Sequence, residues 1–328
     1  MTKVKERECK SLPRPAKTNP IRIYRHFVFS LVVIHLLASL ALVPWFFSWA
    51  GMWTFLVGFN LFGYLGINVC YHRLLTHRSF MVPKWLEYCL AIIGICCLQD
   101  SPARWVAIHR MHHQHSDKES DPHSPRVGLF WGHLGWLVVK NDDHDNASRF
   151  EHYARDILRD PFYFWMERNL RWVSIYAAHA VLFYLVGLAI GWTMTSDWRV
   201  GNQLGSSLLI WGVFLRTVVV WHITWMVNSI GHVFGYQNYE TGDSSRNNVL
   251  CAMLAGGDGW HNNHHAYPRS AAHGHKWWEF DMTYRIIRLL EVLGLAKNVV
   301  KAPLDRAYVS EKEPAATVTV REPNLDSN

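Results

Sequence analysis

Four runs of this chain, residues 27–49, 52–71, 173–192 and 204–228, hold among them a single Lys, Arg, Asp or Glu, which is Arg216. A helix needs about 20 apolar residues at 1.5 Å each to cross a bilayer. Only helices and closed barrels satisfy every backbone group there, and runs of this length select the helix. The chain is therefore expected to be an all-α integral membrane protein with four transmembrane helices. Ala50-Gly51 separates the first two runs and residues 193–203 the last two, so the helices pair as hairpins. Pro44 either kinks the first helix or marks its end. The first run is too long for a signal peptide, and a second span follows at once. A further apolar stretch, Trp85 to Leu98, is too short to cross and reads as an interfacial or re-entrant helix.

Half of the residues are hydrophobic and 18% are charged, which suits apolar spans alternating with folded polar segments. The net charge of +7 does not point to nucleic acid, because the basic residues form no long stripe interleaved with aromatics. Many stand before the first run, at Lys3, Lys5, Arg7, Lys10, Arg14, Lys17, Arg22 and Arg25, and read as its cytoplasmic flank. With the Lys- and Arg-rich side inside, four spans put both termini and both large histidine-bearing segments in the cytoplasm. Six cysteines without a CxxC pair ask for no oxidising compartment. Residues 1–20 are expected to be a disordered basic N-terminus, 21–302 a single membrane domain, and 303–328 a flexible tail. Inside the later runs, His179 reads as a packing histidine and Arg216 as a structural cation that pairs or snorkels.

The chain has 20 histidines, and their spacing carries the chemistry. His72 and His77 follow the second run. Next come His109, His112 and His113, and late in the chain His261, His264 and His265. Asn228 and His232 leave the end of the fourth run. Residues three or four apart share a helix face, so His109 converges with His112 and His113, and His261 with His264 and His265. His72 and His77, five apart, need a longer reach or a loosened helix end. Imidazole suits iron, zinc, copper or nickel. Nine imidazoles exceed what one ion holds, which calls for two ions, and no cysteine neighbours a cluster. All the clusters fall on one membrane side, so the site would sit at the mouth of a helical bundle, open to an apolar substrate between the helices.

The words around these histidines are specific. His72-Arg-Leu-Leu-Thr-His-Arg-Ser-Phe80, Trp105 through His113, Asp121-Pro-His123, Asn228 to His232, Gly235-Tyr-Gln-Asn-Tyr-Glu240 and Gly259-Trp-His-Asn-Asn-His-His-Ala-Tyr-Pro268 resemble the membrane fatty acyl desaturases of the delta-9, stearoyl-type class, in particular bacterial and cyanobacterial forms. The resemblance runs from about residue 22 to about residue 300. It implies four transmembrane helices under a cytosolic helical cap that holds a histidine-ligated pair of irons. One iron would take His72, His77, His109, His113 and His264; the other would take His112, His232, His261 and His265, with Asn228 holding a bound water. Asp117, Asp121, Asp243 and Asp258 are candidates to orient these imidazoles, Asp258 standing where the family usually has Glu. His115, His123, His133, His273 and His275 fall outside the matched positions and are expected to be structural. By family position Gln99, Trp105, Thr224 and Trp225 would line the bend of a substrate tunnel.

The implied activity is an oxidoreductase of lipid metabolism and fatty acid biosynthesis that inserts a cis double bond into a saturated acyl chain with dioxygen as co-substrate. The acyl carrier is open between CoA, lipid and acyl-carrier protein, because the cations expected of animal acyl-CoA enzymes are replaced by Ala107 and Lys140-Asn141. Neither tail has the length or histidine motif of a cytochrome b5-like domain, so electrons are expected from a separate ferredoxin or cytochrome b5. A di-iron hydroxylase is the nearest rival reading. A metal transporter would want its ligands at the membrane midplane, and a haem protein would leave most of the histidines unused.

Overall fold

The computed structural model describes residues 11–142 and 147–303. Among these residues there is no strand, only isolated β-bridges. Four helical segments are long and apolar enough to cross a membrane: Arg25–Leu42, Trp49–Thr76, Pro161–Thr195 and Trp198–Ile230. Their outer faces invert the soluble pattern, with Phe29, Leu36, Leu182 and Leu185 exposed, as lipid-facing side chains should be.

Helix α1 (Arg25–Ser39) gives way to two short 3₁₀ turns, and Val43 is extended just before Pro44. The proline therefore ends the first span instead of kinking it, since its ring disfavours helical backbone in the residue before it. Helix α2 (Trp49–Gly58) starts on Ser48, whose hydroxyl accepts from the Gly51 N–H at 2.9 Å. It runs without a break into a π-helical segment, π1 (Phe59–Thr76). The second span thus extends past the expected end at residue 71, and His72 lies inside it. Helix α3 (Lys84–Ile95) follows, ending three residues before the apolar stretch does, and then α4 (Pro102–His115), capped by the Ser101 hydroxyl. A short π2 turn (Trp131–Gly135) and α5 (Trp136–Val138) lead to α6 (Ala147–Leu158) and α7 (Pro161–Glu167).

Left-handed residues Asn169 and Leu170 separate α7 from the third span, α8 (Arg171–Thr195). The fourth comprises α9 (Trp198–Leu209), π3 (Ile210–Leu215) and α10 (Arg216–Ile230). Glycines bring the last two spans into backbone contact: a Cβ on Gly187 would stand 2.7 Å from Gly205 Cα, the small-residue packing of membrane helix pairs. Beyond α10 the cap continues with α11 (Val249–Leu254), α12 (His261–Ala266) and α13 (Met282–Val292).

At the N-terminus, residues 11–20 differ from the expected disorder. The Leu12 N–H donates to Arg126 O at 2.9 Å, and Pro15 and Thr18 are buried. Backbone bonding to the cap offsets the low hydrophobicity of that stretch. The remainder of the expected disordered start, residues 1–10, and of the expected tail, residues 304–328, lie outside the described residues.

Candidate metal centre

Helical pitch explains how each histidine reaches the centre. Along α4, His109 and His113 are four apart and His112 points round toward the neighbouring cluster. At the C-terminal end of π1 the capping His77 N–H bonds back to His72 O at 3.2 Å, a five-residue turn. A π turn stacks residues five apart, which solves the spacing that an α-helix would misalign. Short helix α12 is held by a buried amide network: Asn263 Nδ2 donates to Glu279 Oε2 at 2.6 Å, Asn247 Nδ2 to Asn263 Oδ1 at 2.8 Å, and the Asn262 N–H to Asn247 Oδ1 at 3.0 Å.

The imidazoles gather into two sets. His72, His77, His109, His113 and His264 form one, and His112, His232, His261 and His265 the other, with the ligand atoms of each set within 4.8 Å of one another. These are the two groups that the resemblance implies. In the first, Nε2 separations are 3.1 Å for His72–His264, 2.9 Å for His264–His113 and 3.1 Å for His113–His109. In the second they are 3.0 Å for His261–His232, 3.1 Å for His265–His261 and 3.3 Å for His112–His265. Imidazole nitrogens about 2.1 Å from a shared first-row ion, set at right angles, stand about 3.0 Å apart.

Each of the four candidate carboxylates takes one ring of the two sets. Nδ1 of His72 donates to Asp258 at 2.9 Å, of His112 to Asp121 at 2.9 Å, of His232 to Asp117 at 3.2 Å and of His265 to Asp243 at 2.6 Å. A neutral imidazole with its proton on Nδ1 has a bare lone pair on Nε2. His112 and His265 therefore aim two lone pairs at each other across 3.3 Å, an arrangement that needs a cation. The buried Nε2 of His77 has no hydrogen-bond partner among the described residues and also faces its cluster. The donor set fits a metal in both places.

Electrostatics agree. Burial, reinforced by neighbouring imidazoles, pushes His77, His109, His112, His113, His261 and His264 well below the usual histidine range. They are neutral at pH 7, the ligating form. Burial also works on His232, but Asp117 outweighs it and carries that ring up. Burial alone would raise the carboxyls. His232 nonetheless holds Asp117 well below the carboxylate range, His265 does so for Asp243, and His72 with Arg73 for Asp258. Asp121 goes the other way, pushed up by burial.

A cavity of about 550 Å³ opens against His72, His109, His261 and Asn228 and runs down between α1, α8 and α10. Gln99, Trp105, Thr224 and Trp225 all line it. Gln99 Nε2 donates to Thr224 Oγ1 at 2.9 Å, Trp105 Nε1 donates to Gln99 Oε1 at 3.3 Å, and the Trp105 ring stacks on His109 at 4.9 Å.

The five histidines set aside as structural lie outside the two sets. His123 packs on His112 at 4.3 Å, His273 meets Asp258 at 3.2 Å, and His275 and His115 contact Tyr239 and Tyr153 hydroxyls. His133 joins a string that sequence reasoning missed, bonded to His222 at 3.0 Å, which in turn meets His35 at 3.1 Å. Also missed were Arg73, fully buried between Asp258 at 2.7 Å and Asp281 at 2.9 Å, and the Asn–Glu279 network. A cation one residue after His72, and asparagines inside the third cluster, were the available signals.

Comparison with known proteins gives one family match, described as fatty acid desaturase, over residues 47–293. The chain is 43% identical over 266 residues to an sn-1 stearoyl-lipid 9-desaturase of Anabaena variabilis, covering 81% of this chain and 90% of that one. It is 42% identical to an sn-2 palmitoyl-lipid 9-desaturase of Nostoc sp., over 83% of this chain and 88% of the relative. An acyl-CoA 5-desaturase of Anemone leveillei is 40% identical, over 83% and 79%.

Proposed function

This chain belongs to the fatty acid desaturase family, and from that premise we propose that it places a cis double bond at the delta-9 position of a saturated acyl chain using two irons held by the nine histidines. It is an oxidoreductase, and its substrate kind is a fatty acyl chain on lipid or CoA, as in the relatives. The observation that carries the reading is the pair of convergent imidazole sets at the head of an apolar cavity.

When bound, an iron pair supplies the dioxygen-activating redox chemistry that breaks unactivated C–H bonds, which no side chain does by proton transfer. In the overall balance, two hydrogens leave adjacent methylenes and O₂ becomes two waters. Two electrons come from the substrate and two from a carrier, together with two protons. A ferredoxin or cytochrome b5 fits that carrier role. The protein's own part is positional. Asp117, Asp121, Asp243 and Asp258 fix the tautomer of four rings and keep Nε2 free to ligate. Asn228, which lines the cavity together with His261, would hold a water. Gln99, Trp105, Thr224 and Trp225 form the bend that presents one carbon pair and keeps the others away. The basic flank before α1 supports an orientation with the cap, both termini and the site in the cytoplasm.

The reading is tested by expressing the chain in a host without unsaturated acyl chains and analysing its lipids. Products lacking two hydrogens are expected. Products that instead gain one oxygen would make the protein a hydroxylase.

A further inference from the structure

Arg216 is the single charged residue of the four apolar runs, and it is fully buried. Among the described residues no carboxylate pairs with it. Its Nε donates to Gly212 O at 2.8 Å, one Nη donates to Cys96 O at 3.0 Å and lies 3.4 Å from His179 Nε2, and its guanidinium covers the Phe62 ring at 3.9 Å. Gly58 makes room for it: a Cβ there would lie 3.2 Å from Arg216 Cδ. The arginine thus stands where α2, π1, α8 and α10 meet the end of α3.

That end is a place where backbone needs help. Helix α3 stops at Ile95, and Leu98 and Asp100 are left-handed, with φ of 53° and 71°. The carbonyls just past a helix end have no helical partner, and apolar surroundings supply none. Here α10 supplies them. Arg216 takes Cys96 O, and Trp221 Nε1 donates to Cys97 O at 2.8 Å and Leu98 O at 3.1 Å. The next residue is Gln99, which Thr224 binds from the same helix. Three residues of α10 therefore grip four successive residues of the turn after α3, and the last of those four forms the tunnel bend.

We propose that Arg216 is a positioning residue for regioselectivity: by anchoring the Cys96 carbonyl to α10 it sets the depth of the Gln99 bend below the metal centre, and so chooses which carbon pair is desaturated. The inference rests on the tunnel reading of Gln99, Trp105, Thr224 and Trp225. A displacement of about one C–C bond, ~1.5 Å, along the tunnel presents the neighbouring methylene pair. Loss of the anchor lets the turn relax by such amounts while the ligands, carried on other elements, stay in place.

The experiment compares double-bond positions in the products of the full-length wild type, Arg216→Met and Arg216→Lys, with metal content measured on each. Methionine keeps the volume and loses the donors; off-position olefin is expected to rise about tenfold relative to wild type. Lysine keeps the charge but cannot reach both carbonyls as the guanidinium does, and a rise of about threefold is expected. Both variants should retain the wild-type metal content. An unchanged isomer ratio in both variants, or in Arg216→Lys where Arg216→Met does not accumulate, overturns the proposal whatever the rate does. Wild-type protein that makes no olefin at all would instead sink the desaturase reading.

Discussion

Asp243 accepts from His265 at 2.6 Å, and Asp258 accepts from both His72 and Arg73. These carboxylates decide which ring nitrogen is bare. Replacing Asp243 with Asn keeps the shape and removes the charge, so metal affinity of its cluster should fall about 10–100-fold. Titrating the purified protein with iron would read this directly. His109→Ala and His261→Ala go further, each deleting a ligand from a different set. Both are expected to abolish product while the protein still inserts into the membrane; near-normal turnover in either would remove that residue from the ligand set. The lone-pair argument for His112 and His265 was not open to sequence reasoning, because it needs to be known which side chain reaches each Nδ1.

At the scale of elements, Asp156 on α6 ties that helix to α4 and to the segment just past the second span. It accepts from Arg110 of α4 at 2.6 Å and from Arg78, next to His77, at 2.7 Å. Burial would raise this carboxyl, but the two guanidiniums bring it down to about 2. Its folded value is depressed, so its stabilisation is present above the ordinary aspartate range and is lost as pH falls toward 2. Asp156→Asn should therefore lower the unfolding temperature at neutral pH, and the gap from wild type should close between about pH 4 and pH 2. Because Asp156 is 43% exposed, solvent screening limits the neutral-pH effect to about 0.5–1 kcal/mol. Thermal unfolding in detergent across that range measures both. The π1 segment belongs to this scale as well. Composition marks residues 59–76 as apolar helix, but apolar composition is equally consistent with α and π pitch, and only the His72–His77 interval hinted at the wider turn.

Considered whole, the molecule is a four-span bundle with its polar chemistry gathered at one end; α8 and α9 pack as the expected hairpin, whereas α1 and α2 do not pair with each other but pack against the fourth span. An even number of spans returns the chain to the side it left. Tags placed at residues 11 and 303 should be accessible from the same side as the histidine cap, and one in the turn at Ser196 between α8 and α9 from the other. Protease protection in sealed vesicles distinguishes the sides. A tag at Ser196 appearing beside the cap would rule out this threading.

Local pattern determined the four spans, the pairing of the last two, the histidine boxes and the carboxylates beside them, because a helix and its faces are set by residues a few positions apart; the packing of α1 and α2 on the fourth span was decided only by the tertiary structure. Distant pairings were decided only in three dimensions. Asp258 lies 186 positions from the His72 it orients, and Cys96 lies 120 from the Arg216 that holds it. Such contacts depend on how helices pack across the bundle, and no window of sequence contains both partners.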